Sequence, residues 1–86
     1  MNEHTDAGLR DVLGQVLGLS PARLAAMTAP TPLLGALPEL DSMAIATLFG
    51  ALEDHFGVIF DDAELTGDTL ATFGTLAALV QAKRAG

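Results

Sequence analysis

The sequence predicts an all-α fold, a small bundle of three main helices plus one or two short ones, with a long loop before the second main helix. Three observations point there. The chain has 86 residues, room for one small domain over 1–86 with an ordered core of about 6–84. Its apolar residues recur at three- and four-residue spacings in three separate stretches, the period of a helix with one buried face. No pair of alternating strands joined by a turn is visible, and no internal repeat.

The elements follow in order. Residues 1–5 read as a loose terminus, and Thr5 or Asp6 can cap a first helix. Leu9, Val12, Leu13, Val16 and Leu17 then share one face, with Gly18 as the stop. Ser20 before Pro21 starts a short helix reaching Met27, with Leu24 and Met27 able to pack inward. The segment "TAPTPLLGALPEL", residues 28–40, holds Pro30, Pro32, Pro38 and Gly35 and is irregular, because proline removes a donor and disfavours helix before it. Its apolar Leu33, Leu34, Leu37 and Leu40 predict a loop pinned across the core. The next helix runs from about Ser42 to about Phe56, with Ile45, Leu48, Phe49, Leu52 and Phe56 on the buried stripe and Gly57 as its cap. Val58–Phe60 crosses inward. Residues 61–67 make a helical turn or two, opened by a capping box of Asp61 and Glu64 and closed by Gly67. Asp68 or Thr69 starts the last helix, with Leu70, Phe73, Leu76, Ala77 and Val80 inside and Lys83 and Arg84 at its favourable C-terminal end.

Composition excludes several functions. The formal charge is −7, which disfavours binding to nucleic acid or to an anionic membrane. Between Leu24 and Ala82 there is no Lys or Arg, while the same span holds Glu39, Asp41, Glu53, Asp54, Asp61, Asp62, Glu64 and Asp68. Such a surface either solvates a small domain or meets basic partner proteins. There is no cysteine, hence no disulfide framework and no thiolate metal site. No run approaches the length of a membrane span, and the acidic start "MNEHTDAG" lacks the basic segment of a signal peptide. These features predict a cytoplasmic protein, and a monomer is the expected state.

Asp41-Ser42 stands at the start of the second main helix, and either residue can serve as its cap. Ordinary catalysis by Ser42 is poorly provided for. A serine nucleophile needs a neighbouring base. His4 lies in the terminus, and His55 lies 13 residues along the same helix, roughly 20 Å away at 1.5 Å per residue. The acids of "DDAEL" form no calcium loop. The sequence therefore predicts no enzyme. Ser42 nevertheless suits modification, because a helix start favours an attached phosphate.

The chain resembles an acyl carrier protein. The resemblance rests on "LDSM" at 40–43, the helix ending "LFGALEDHFGVIF", and the following "DDAELTGDTLATFGTLAALV". It implies that Ser42 receives 4′-phosphopantetheine from coenzyme A and that Asp41 belongs to the motif read by the phosphopantetheinyl transferase. It further implies that Met43 docks into partner enzymes, and that Glu53 and Asp54, with Asp61, Asp62 and Glu64, form the acidic partner-facing surface. Ala44 and Thr47 stand where fatty-acid carriers usually have acids, a departure from the housekeeping carrier, and the "PLLGALPELDSM" lead-in is similar to that of specialised stand-alone carriers; the resemblance implies a carrier of acyl thioesters in fatty-acid, polyketide-like or related biosynthesis. Acyl-loading and acyl-transferring enzymes with basic docking surfaces are the implied partners. The competing expectation is a small acidic helical interaction module without a prosthetic group.

Overall fold

The computed structural model describes residues 3–85. Within them the chain forms α1 (Glu3–Leu17), α2 (Pro21–Ala25), α3 (Ser42–Phe56), a short 3-10 helix η1 (Asp62–Glu64) and α4 (Phe73–Ala85). Three long helices enclose one core. Leu9, Leu13, Leu33, Leu48, Leu52, Phe73, Leu76 and Val80 are all wholly buried there. Gly8 lets α1 lie against α3, since a Cβ at that position would stand 2.8 Å from Phe56 Cζ.

Helix α1 begins earlier than its sequence suggests. Glu3, His4 and Thr5 are helical rather than a loose terminus, and only residues 1 and 2 of that terminus lie outside the described residues. The reason is long-range. Thr5 is buried at 1% exposure, its hydroxyl donating to Gln81 Oε1 at 2.5 Å and accepting from Arg84 Nη1 at 2.8 Å. Helix α4 therefore holds the first turn of α1. Helix α2 starts as expected, with Ser20 Oγ accepting the Arg23 N–H at 3.2 Å and Pro21 in the first turn. Arg10 fixes its far end by donating to Leu24 O at 3.1 Å and to Met27 O at 2.8 Å.

The 28–40 loop is pinned as its leucines predict, except at Leu34, which is 40% exposed. Leu33 fills the core, and the backbone around it pairs with the segment before α4. An isolated antiparallel bridge joins Pro32 to Thr72, a pairing the sequence does not announce. Its bonds run from Leu33 N to Ala71 O at 3.0 Å and from Phe73 N to Thr31 O at 2.8 Å, so the proline needs no N–H.

That pairing also corrects the start of α4, which is Phe73 rather than Asp68 or Thr69. The carbonyls of Leu70 and Ala71 accept from Leu34 and Leu33, and Gly74 N–H donates to Ala29 O at 2.8 Å. These groups are thus diverted from a helical ladder, and Leu70 is buried ahead of the helix. Thr72 and Thr75 cap the true start, each hydroxyl accepting the other's N–H at 3.1 Å.

Two smaller expectations change. Gly67 does not close η1, which ends at Glu64 with Leu65 as its cap. Of Val58–Phe60, Phe60 is buried edge-on to Phe49 at 5.2 Å, whereas Ile59 points outward at 78% exposure. Helix α3 spans the expected residues and stops at Gly57, whose φ of 67° is the left-handed cap that glycine tolerates best.

Candidate functional site

The approach to Ser42 is braced on both sides. Leu40 is buried and its N–H donates to Leu37 O at 3.0 Å. Glu39 is gripped by Arg23, Nη1 to Oε2 at 2.6 Å and Nη2 to Oε1 at 3.3 Å. This hydrogen-bonded pair holds the Glu39 carboxyl below the usual carboxylate range and raises the Arg23 guanidinium. Sequence reading missed the clip. Its only signal is that Arg23 is the last cation before a long acidic span.

At the helix start, Asp41 does the capping. It is extended, at φ −95° and ψ −178°, and its Oδ1 accepts the Ala44 N–H at 2.8 Å while its carbonyl accepts from Ile45 at 2.9 Å. Ser42 is the first helical residue and is exposed. Among the described residues its Oγ takes no hydrogen-bond partner. The structure thus resolves which of the two residues is the cap and leaves the serine hydroxyl clear.

The outward stripe of α3 carries Met43, Ala46, Thr47, Gly50 and Asp54, all exposed at helical spacing. Met43 is 82% exposed. Thr47 turns its hydroxyl back to Met43 O at 3.1 Å. Ala44 is half-buried and packs against the core, off this stripe. Glu53 is also half-buried, with Oε2 accepting the Phe60 N–H at 2.9 Å. Asp61 and Asp62 are exposed at η1. Glu64 accepts the Asp61 N–H at 2.8 Å and pairs with Lys83 Nζ at 2.6 Å. The Lys83 ammonium and the Asp61 N–H hold the Glu64 carboxyl below its ordinary range, and Glu64 raises Lys83. The acids offered by the sequence are therefore unequal. Asp54, Asp61 and Asp62 face solvent, whereas Glu53 and Glu64 are engaged within the fold.

Chemically, this arrangement presents a hydroxyl without a base. His4 lies on α1 and His55 in the last turn of α3, at the opposite end from Ser42. Among the described residues no group of three or more His, Cys, Asp or Glu can hold a metal ion. Among the described residues no helix is long and apolar enough to cross a membrane. What the site does fit is an attached phosphodiester. Ser42 Oγ is accessible, and it sits at the positive end of a 15-residue helix, where an anion is favoured.

A family model described as a phosphopantetheine attachment site matches residues 7–82. Among solved structures, the chain is similar to the holo acyl carrier protein of Nitrosomonas europaea, determined by solution NMR. Identity is 41% and the TM-score 0.87, with 99% of this chain and 100% of that chain covered. It is also similar to a chain in the crystal structure of an engineered Bradyrhizobium japonicum glycine:[carrier protein] ligase complexed with a carrier protein from Agrobacterium tumefaciens and ATP. There the identity is 24% and the TM-score 0.74, covering 92% of this chain and 99% of that one, a likeness of fold alone. No curated protein matches the chain.

Proposed function

Since the chain belongs to the phosphopantetheine-binding acyl carrier protein family, a family of carriers rather than enzymes, we propose that Ser42 is where its 4′-phosphopantetheine arm is attached. When bound, the arm supplies a flexible tether ending in a thiol that holds an acyl group as a thioester, at high effective concentration near a partner's active site. The chain's own part is to present the hydroxyl and to offer a surface that several enzymes can hold briefly.

One observation carries the assignment to Ser42. Asp41 takes the cap hydrogen bond, so the neighbouring serine is free of structural duty and open to solvent. A serine retained as a cap would have its Oγ on a first-turn N–H, as Ser20 does at α2. Around it, Met43 gives an apolar contact and Asp54, Asp61 and Asp62 give charges that speed encounter with basic docking surfaces. The reading extends to a cytoplasmic monomer serving a specialised pathway. A bare interaction module would leave that free hydroxyl unused.

The test is intact mass after incubation with coenzyme A and a broad-specificity phosphopantetheinyl transferase. The wild-type chain gains one phosphopantetheine and Ser42→Ala gains none. A gain that persists in Ser42→Ala sinks the assignment.

A further inference from the structure

We propose that Met43 is a peroxide-sensitive modification site, whose conversion to methionine sulfoxide weakens the docking of enzymes that act at Ser42. The inference rests on the carrier reading of Ser42 and names a way in which that site is regulated.

The two methionines among the described residues lie in opposite environments. Met43 is 82% exposed, while Met27 is 3% exposed and sealed in the core. A thioether reacts only where the oxidant reaches the sulfur. The step balances with a peroxide as co-reactant. The sulfur lone pair attacks one peroxide oxygen, the O–O bond breaks and an S–O bond forms. The sulfur loses two electrons and the second oxygen leaves as water.

The consequence follows from position. Met43 adjoins Ser42 on the outward stripe of α3 and is absent from the core cluster, so a change in its chemistry leaves the bundle intact. What changes is the surface beside the serine. The thioether is a flexible apolar contact, and the sulfoxide is polar and carries a strong acceptor. A partner hollow that accepts the thioether must then desolvate that oxygen, which costs affinity when no donor meets it. Asp41 beside it and Asp54, about three turns farther along the helix, are untouched by the oxidation. Long-range attraction therefore persists while the close contact fails, and the effect falls mainly on KM.

The experiment uses the full-length chain before arm attachment, so that no arm thiol competes for oxidant. Dilute hydrogen peroxide is applied, the sites are mapped by peptide mass, and loading by transferase and coenzyme A is timed. We expect Met43 to oxidise at least about tenfold faster than Met27, and loading efficiency to fall about three- to tenfold, the scale of one lost apolar contact. Methionine sulfoxide reductase with a thiol reductant should restore the rate. Met43→Leu keeps an apolar side chain without a sulfur, and its loading rate, compared with and without peroxide treatment, should lose nothing, which separates Met43 from Met1 and Met27. Equal loading of the reduced and sulfoxide chains overturns this inference alone. A peroxide effect that survives in Met43→Leu overturns it as well. A reduced chain that accepts no arm overturns the carrier reading and this inference together.

Discussion

Glu53 closes the turn after α3 by accepting the backbone N–H of Phe60 at 2.9 Å, while its neighbour Asp54 stays exposed. Two adjacent acids of one helix thus have separable roles. Glu53→Ala orphans a part-buried N–H beside the Phe49–Phe60 edge contact and should destabilise the fold by about 1–2 kcal/mol, read from the urea midpoint. Asp54→Lys should leave that midpoint within about 0.5 kcal/mol of wild type. It should slow transferase loading at low salt, and salt should close the gap. A stability loss for Asp54→Lys equal to that of Glu53→Ala would reject the division.

Asp41 and Ser42 should separate in the same way, along a different coordinate. Asp41→Ala removes the bond to the Ala44 N–H and should cost about 0.5–2 kcal/mol. Ser42→Ala removes an unpartnered exposed hydroxyl and should shift stability by less than about 0.5 kcal/mol. Thermal unfolding followed by circular dichroism measures both. A larger loss in Ser42→Ala than in Asp41→Ala would return the serine to a structural role.

Features made by local spacing were legible in the sequence. The stripe from Ile45 to Phe56 and its glycine stop locate α3 and its end, because periodicity and a left-handed cap are both local. Features made by distant partners were not. Nothing near Thr5 indicates that Gln81 and Arg84 will hold it, and nothing near Leu70 indicates that its carbonyl will accept from Leu34. At the site, the sequence offered Asp41 and Ser42 as equal caps, and only the Ala44 N–H distinguishes them. Three of the four Thr-x-x-Thr spacings, 28/31, 66/69 and 72/75, form reciprocal or one-way turn bonds and were a missed local signal. They follow the capping-box spacing with threonine where glutamate is usual.

The Glu64–Lys83 pair predicts a pH dependence with a definite sign. The folded Glu64 carboxyl lies below its unfolded value, so its contribution is present above the ordinary glutamate value of about 4.3 and is lost as pH falls through the depressed folded value. Lys83 is raised, so its share is complete below the ordinary lysine value and fades only in strong alkali. The melting-temperature difference between wild type and Glu64→Gln should thus be positive at pH 7 and shrink on acidification. Because the pair is solvent-screened, the difference should be small and should also shrink in salt. A difference that grows toward acid pH would contradict the pairing.

Gly74 tests whether the loop before Ser42 depends on its pin to α4. A Cβ there would meet Ala29 O at 2.7 Å and Ala29 Cβ at 3.0 Å, so the backbone must move. Gly74→Ala should cost about 1–3 kcal/mol by overpacking. Amide exchange should quicken at Leu33 and Leu34, whose N–H groups bond to Ala71 and Leu70. Unchanged protection at both amides would show that the loop holds without Gly74.

The last prediction concerns the pathway. Residues 42–49, the first two turns of α3, contain no acid, so Asp41 alone supplies negative charge at that end. In the fatty-acid carriers this chain resembles, acids usually stand at the positions of Ala44 and Thr47, where a synthase engages them. The two positions differ here. Thr47 lies on the outward stripe, whereas Ala44 packs against the core, where a carboxylate would be partly desolvated. Thr47→Glu is therefore the clean test, and Ala44→Asp would mix recognition with stability. In a reconstituted fatty-acid synthase from the same organism, the arm-bearing wild type should turn over more slowly than the housekeeping carrier. Thr47→Glu should recover up to about fivefold, the value of one exposed charge pair. Recovery should vanish at high salt, because an interaction made at this surface is screened. Wild-type turnover equal to that of the housekeeping carrier would defeat the idea of a separate cargo. Slow turnover that Thr47→Glu leaves unchanged would place the discrimination elsewhere on the docking surface.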